Sequence, residues 1–115
     1  MFTLSPEDVQ QSLPFLHALL RKKRTAQKNA FEKGSLHDLT VLFRMLILVL
    51  LGEREGLNED DRARLYHKRK TLLKAGRSET SVKDTLKNRD KLRVCMKPLL
   101  GIIPSVVRLF VKDNE

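Results

Sequence analysis

The sequence predicts an all-α protein, a compact bundle of about five to six helices forming a single domain over residues 1–115. Helix start signals followed by glycines recur along the chain. No segment alternates apolar and polar residues between hairpin turns, as the strands of a half-buried sheet would. With 115 residues, of which 41% are hydrophobic and 32% charged, the chain is long enough to bury one core.

The first two predicted helices lie in the N-terminal third of the chain. Residues 5–8 read Ser-Pro-Glu-Asp, which supplies an N-cap, a proline in the first turn and two acids beside the helix N-terminus. Because Pro14 cannot occupy a helix interior, we place a break near residues 12–13 and a second helix at residues 13–33. Gly34 then ends this second helix.

The third predicted helix, about residues 36–51, is the most apolar segment. Residues 35–38 repeat the cap pattern, Gly52 ends the helix, and Arg44 alone interrupts the apolar run at 41–51. A helix that is apolar all round must be surrounded, so we expect it at the centre of the bundle. The run falls short of the roughly 20 apolar residues that a membrane span requires. One of its faces could instead pack across a two-fold homodimer interface.

The remaining helices follow the same signals. Asn58 caps a fourth helix whose first turn is acidic, and Gly76 ends it. Residues 78–81 begin a fifth helix that runs to about Lys97. Two prolines and a glycine then interrupt the apolar tail, which leaves a short final helix through residues 106–110.

The net charge is the most unusual property of the composition. The chain holds 23 Lys and Arg against 14 Asp and Glu, a formal charge of +9. Residues 16–33, 62–77 and 78–97 carry +5, +7 and +3, whereas residues 53–61 carry −4. Polyanions are therefore the first partners to consider.

The second predicted helix carries the most ordered group of cations. One row falls beside its apolar face, namely His17, Arg21, Arg24 and Lys28, with Lys22 and Lys33 on a neighbouring flank. Surface helices usually mix charge signs, and this one offers a single acid, Glu32. We interpret the row as a binding surface for successive phosphates. A solvated polar face and a short nuclear-localisation signal at residues 21–24 are the alternatives.

The fourth and fifth helices supply further candidate phosphate ligands. These are Arg64, Lys68, Lys70 and Lys74 on the fourth helix and Lys83, Lys87 and Lys91 on the fifth. Four arginines, in contrast, project from the apolar arcs of these helices: Arg62, Arg69, Arg89 and Arg93. Buried arginines need acceptors, so these four either pair internally or bind a partner.

The aromatic residues favour a duplex over single strands. Single-stranded nucleic acid is usually held by aromatic rings that stack on bases. Phe15, Phe31 and Phe43 sit in apolar patterns that predict core positions, which leaves Tyr66 as the only candidate ring within a basic segment. A grip on phosphates suits double-stranded RNA or DNA without sequence preference. No residue motif places the chain in a family. In size, charge and helical class it resembles the small basic helical silencing suppressors of viruses, which sequester double-stranded RNA.

Catalytic and metal-binding signatures are missing from the sequence. The three histidines lie in different predicted helices, the single cysteine is Cys95, and there is no nucleophile motif or glycine-rich phosphate loop. We therefore predict no enzyme activity, no metal and no cofactor. A lone cysteine and an acidic N-terminus without a signal-peptide pattern predict an intracellular protein, cytoplasmic or nuclear.

The function predicted from the sequence is non-enzymatic binding of nucleic-acid backbones by a homodimer. The alternative is a helical protein-interaction module, an adaptor or regulatory protein that binds an acidic or amphipathic partner segment. In that alternative the four arginines and the apolar tail at residues 99–111 form the binding groove. A role at a membrane surface ranks last, because the apolar faces are wide enough to be needed for folding.

Overall fold

The computed structural model describes residues 4–78 and 85–111, and none of them lies in a β-strand. The helices are α1 (Pro6–Gln11), α2 (Leu13–Leu19), α3 (Arg24–Lys33), α4 (Leu36–Leu50), α5 (Glu59–His67), α6 (Arg69–Ser78), α7 (Thr85–Met96) and α8 (Ile103–Arg108), with a short 3-10 helix at Lys97–Leu99. The Cα radius of gyration is 13.1 Å, which is close to the ~13 Å of a compact domain of this length. The all-α class is confirmed, with more helices than predicted.

Three helices begin where the sequence places their caps. The Ser5 hydroxyl accepts a hydrogen bond from the Asp8 backbone N–H at 3.1 Å and starts α1. Ser35 and Asp38 form a reciprocal capping box at the start of α4. The Asn58 side chain accepts from the Asp61 N–H at 2.8 Å and starts α5. Each cap satisfies a backbone donor that the helix itself leaves unpaired.

The single helix predicted over residues 13–33 is wrong, because the chain turns at residues 20–23. The N–H of Leu20 bonds to the carbonyl of His17 at 3.1 Å, which tightens the last turn of α2. The Gln27 side chain then donates to the carbonyl of Arg21 and closes the turn. This reversal packs α2 against α3, so that apolar side chains of both helices enter one core.

The glycines that end α3 and α4 do so in different ways. Gly52 follows α4 with φ of +81°, the left-handed conformation that favours glycine, and confirms the predicted end. Gly34 follows α3 with φ of −59°, so its backbone conformation is open to other residues. Gly34 is buried, and a Cβ atom there would lie 2.8 Å from Cε1 of Phe15. The close approach of the Phe15 ring therefore explains the glycine.

The C-terminal half also differs from the predicted helices. The fourth helix is divided at Lys68 into α5 and α6, and α6 continues past Gly76 to Ser78. Ser78 thus belongs to α6, and the rest of the predicted start of the fifth helix lies outside the described residues. The final helix begins at Ile103, earlier than predicted, because Pro104 fits its first turn.

The helix α4 supplies much of the hydrophobic core through its first three turns. Seven of its side chains are buried: Leu39, Val41, Leu42, Phe43, Met45, Leu46 and Ile47. They meet residues of α2, α5, α6, α7 and α8. Towards its end, Leu48, Val49 and Leu50 are only half-buried, and Leu51 is 54% exposed. The prediction that residues 36–51 are buried on every side is therefore wrong at the C-terminal end of α4.

No helix in the described ranges combines the length and the apolar character needed to cross a bilayer.

Candidate nucleic-acid interface

The cations assigned to the second predicted helix surround the turn between α2 and α3. All five side chains are exposed: His17 on α2, Arg21 and Lys22 in the turn, and Arg24 and Lys28 on α3. We call these five residues the basic turn. Across residues 4–78 and 85–111, no carboxylate lies within ion-pair distance of any of them. The charges that were predicted to form a row on one helix are instead distributed over two helices and their connection.

The backbone adds positive potential at the basic turn. The N-cap of α3 is Lys23, whose side chain accepts no hydrogen bond, and the first turn of α3 contains no acid. The first N–H groups of a helix have no partner within the helix and form the positive end of its macrodipole. Acids usually occupy this position, as they do in α1 and α5. Cations beside it repel one another and the helix end, and a bound anion would relieve that repulsion.

A shallow depression of about 300 Å³ lies beside α3. Its polar lining comes from Arg24, Gln27 and Lys28 on α3 and from Lys97 at the start of the 3-10 helix. Sequence reasoning missed Lys97, because no local pattern connects residue 97 to residues 24–28. The depression therefore brings a third cation to Arg24 and Lys28 from a distant part of the chain.

The other candidate cations lie on several helices. Arg64 on α5 is exposed, Lys68 between α5 and α6 is half-buried, and Lys70 and Lys74 on α6 are exposed. On α7, Lys91 is exposed. Lys83 lies outside the described residues, and the side chain of Lys87 is likewise not described. Because the predicted fourth helix bends at Lys68, its cations do not follow a single helix face.

The side chain of Arg93, one of the four arginines on apolar arcs, pairs within the protein. Its side chain is 16% exposed, and its guanidinium donates from Nη2 to the main-chain oxygen of Glu32 at 2.9 Å. Its Nη1 donates to the Asp90 carboxylate at 3.2 Å. The Nε atom lies 3.7 Å from Glu32 Oε2, within ion-pair range but too far for a hydrogen bond. Arg93 therefore joins α7 to the last turn of α3.

The other three arginines differ from one another. Arg69 donates to the main-chain oxygen of Tyr66 at 3.2 Å and lies over the Tyr66 ring, 4.3 Å from its centroid. Arg62 is exposed and lines a hollow next to Tyr66. Arg89 is half-buried, and its Nε has no hydrogen-bond partner among the described atoms. Internal pairing thus accounts for Arg69 and Arg93, and Arg62 remains accessible.

A hydrogen-bonded chain of Ser12, His37 and Asp8 was not predicted from the sequence. Ser12 Oγ lies 3.0 Å from His37 Nδ1, and His37 Nε2 lies 3.4 Å from Asp8 Oδ1. Hydrogen bonds from the Ser5 hydroxyl, and next from His37, hold the pKa of the Asp8 carboxyl below its ordinary value. Ser12 and His37 are 25 positions apart in sequence, and Asp8 and His37 are 29 apart. No short motif therefore reveals them.

The Ser–His–Asp order of these hydrogen bonds is that of a serine-hydrolase triad. The exposure of the three side chains, however, is the reverse of what such a triad requires. A nucleophilic hydroxyl must reach the substrate, and Ser12 is only 1% exposed. The members that face solvent are His37 and Asp8. The hydrogen bonds instead connect α1 and the α1–α2 junction to the first turn of α4.

Among the residues that the structure describes, the other reactive side chains form no site. In the described part of the chain, no three His, Cys, Asp or Glu residues are grouped as a metal site requires. Cys95 is buried, donates from Sγ to the Leu92 carbonyl at 3.2 Å, and has its pKa raised to about 11 by burial. A thiol in such surroundings is a weak nucleophile at neutral pH.

The basic turn and the depression beside it thus form a described surface on which exposed basic side chains lie together without acidic partners. Their role has to be inferred from their own residues. Comparison with known protein families, with characterised proteins and with solved structures gives no significant match.

Proposed function

We propose that this protein binds the phosphate backbone of nucleic acid without catalysing a reaction and without reading base sequence. The observation that carries the proposal is the basic turn, in which exposed cations surround the uncapped, acid-free N-terminus of α3. Arg24, Lys28 and Lys97 meet at one depression beside it, which suits contact with more than one phosphate. In this proposal, the cations of α5, α6 and α7 contact further phosphates of the same nucleic acid.

A duplex fits this surface better than a single strand. Tyr66 is 56% exposed, but the guanidinium of Arg69 lies over its ring and takes a place where a base would stack. Phe15, Phe31 and Phe43 are buried in the core. Double-stranded RNA or DNA, held by shape and charge, requires no exposed rings.

The test is binding to duplex RNA, duplex DNA and single strands of equal length over a salt series. The logarithm of the affinity for duplex DNA should fall linearly with the logarithm of the salt concentration, by about 0.9 for each phosphate contacted. Contact with three to five phosphates gives a slope of about −3 to −4.5. A flat salt dependence, or no binding at low salt, would contradict the proposal. Tighter binding of single strands would contradict the preference for a duplex.

We further propose that the protein acts inside the cell, in the cytoplasm or the nucleus, and as a homodimer. The single buried cysteine is compatible with a reducing compartment. Two copies would place two basic turns on one duplex, which raises affinity through effective concentration.

A second candidate function rests on a groove of about 540 Å³ near the end of α4. Its apolar lining includes Val9, Leu13, Leu48 and Phe110, with charged side chains at residues 53 and 54. Such a groove suits an amphipathic partner segment. Most of the apolar tail is buried in the core, so Phe110 is its only contribution to this groove. A partner protein retained after nuclease treatment and lost in Val9→Lys would favour this function.

A further inference from the structure

Several apolar side chains are exposed where α4 ends and α5 packs beside it. Leu51 is 54% exposed and Tyr66 is 56% exposed. Near them, Val49, Leu50 and Leu57 are half-buried and line a hollow of about 240 Å³ together with Tyr66. Contiguous exposed apolar surface is unfavourable in water and marks a site of interaction. We call these residues the α4-end surface.

The charges around this surface identify what can cover it. The whole chain carries +9, so two copies repel each other over most of their surfaces. Residues 53–61, which carry −4 in total, contribute Arg54, Glu55 and Leu57 to the lining of the hollow. Arg54, Glu55 and Arg62 all line the hollow, so both signs are present on its walls. A surface with both signs can complement itself when it meets its own copy.

The walls of the hollow are also held in place before any partner arrives. The guanidinium of Arg69 lies over the Tyr66 ring and donates to the Tyr66 carbonyl, which fixes the ring that forms one wall. Arg54, which also lines the hollow, lies over the ring of Phe110 with 4.7 Å to its centroid. Side chains that are already ordered lose little entropy on binding. The hollow is therefore suited to receive an apolar side chain.

We propose that the α4-end surface binds a second copy of this chain. Around a two-fold axis every contact occurs twice, so Leu51 of each copy enters the hollow of the other, against Leu50, Leu57 and Tyr66. Glu55 of one copy then faces Arg62 of the other. The proposal rests on the homodimer of the proposed function and assigns its surface.

The first test measures mass in solution without nucleic acid, by sedimentation or light scattering. The wild-type protein should have twice the 13.3 kDa mass of one chain, and Leu51→Lys should have the mass of one chain. The matched control is Val94→Lys on α7, because Val94 is also apolar and 70% exposed. Val94→Lys should stay dimeric. A monomeric wild-type protein at its highest soluble concentration, or a dimeric Leu51→Lys, would overturn the proposal.

The second test places a cysteine at the proposed contact. Cys95 is buried and its thiol pKa is raised to about 11, so an introduced cysteine is the reactive one under mild oxidation. Leu51→Cys should form a covalent dimer, by a disulfide or a short bismaleimide, and Val94→Cys should not. Cross-linking at Val94→Cys in place of Leu51→Cys would assign the interface to another face.

The binding of nucleic acid and the dimer contact at the α4-end surface can be contradicted independently. A dimer formed through Leu51 that binds no nucleic acid would contradict the proposed function and support this surface. A nucleic-acid-binding protein whose mass equals one chain would support the binding of phosphate backbones and overturn both the homodimer and this surface.

Discussion

Arg93 donates a hydrogen bond to the main-chain oxygen of Glu32 at 2.9 Å, across 61 residues of sequence. Glu32 lies in the last turn of α3, where carbonyl groups lack partners within the helix and form the negative end of its macrodipole. A largely buried guanidinium at this place satisfies one of those carbonyls and complements the dipole. It also fixes α3, the helix that carries Arg24 and Lys28.

Replacement of Arg93 should therefore lower stability. We expect Arg93→Ala to reduce the free energy of unfolding by about 1.5–3 kcal/mol, the range for hydrogen bonds to a charged group. Lys91→Ala is the control, because Lys91 is exposed on the same helix and its loss should change stability by less than about 0.5 kcal/mol. Urea denaturation of both variants measures the difference. Equal midpoints for the two variants would show that the Arg93 contacts contribute nothing.

The contact between Gly34 and Phe15 gives a second prediction about stability. A Cβ at Gly34 would approach the Phe15 ring to 2.8 Å, and Gly34→Ala should therefore cost about 1–3 kcal/mol through overpacking. At Gly101 nothing lies within 4 Å of an added Cβ, so Gly101→Ala should be neutral or slightly stabilising. Thermal unfolding of the pair measures this contrast. If both substitutions are tolerated alike, the ring packs less closely against residue 34 than the structure indicates.

Local signals in the sequence predicted the all-α class and the starts of α1, α4 and α5. Ser5, Ser35 and Asn58 act on backbone groups within three residues of themselves, so a short stretch of sequence contains the whole interaction. The turns at residues 20–23 and at Lys68 were not predicted, because no proline or glycine marks them. The first is a turn between two helices, and the second is a one-residue break between α5 and α6. Both depend on how apolar side chains pack in the core, and so on the rest of the fold.

The candidate site, too, could be predicted only where local sequence determines it. The exposed cations of the basic turn could be read from the sequence, since consecutive Lys and Arg residues rarely become buried. The placement of Lys97 beside Arg24 and Lys28 depends on how the chain after α7 returns to α3. The chain of Ser12, His37 and Asp8 joins three positions that only tertiary structure brings together.

The lowered pKa of Asp8 predicts a dependence of stability on pH. A carboxyl whose pKa is lower in the folded protein stabilises it fully above the unfolded pKa of about 3.9. That contribution is lost as the pH falls through the lower, folded pKa. Asp8→Asn should therefore be less stable than the wild-type protein at pH 6, and the difference should shrink below about pH 4.

Denaturation midpoints of both proteins between pH 6 and pH 2.5 measure this effect. Glu7→Gln is the control, because it removes a carboxyl from the same turn of α1. A gap between wild type and Asp8→Asn that stays constant down to pH 2.5 would show that ionisation of Asp8 is not its cause.

Charge reversal in the basic turn should weaken duplex binding without unfolding the protein. Arg21→Glu with Arg24→Glu should lower affinity by about tenfold or more and reduce the salt slope by about 2, since two phosphate contacts are lost. Lys33→Glu with Arg108→Glu changes the net charge equally at exposed positions outside the basic turn. Equal losses in the two double variants would mean that total charge, and not this turn, governs binding.

Substitution of Lys97 tests the part of the site that only the fold brings together, since the sequence did not point to Lys97. If its ammonium contacts a phosphate together with Arg24 and Lys28, Lys97→Ala should reduce the salt slope for duplex binding by about 1. Arg108→Ala, an exposed cation on α8, should leave the slope unchanged. Fluorescence anisotropy with one labelled duplex over a salt series measures both. A slope unaltered by Lys97→Ala would remove the depression from the interface and restrict it to the basic turn.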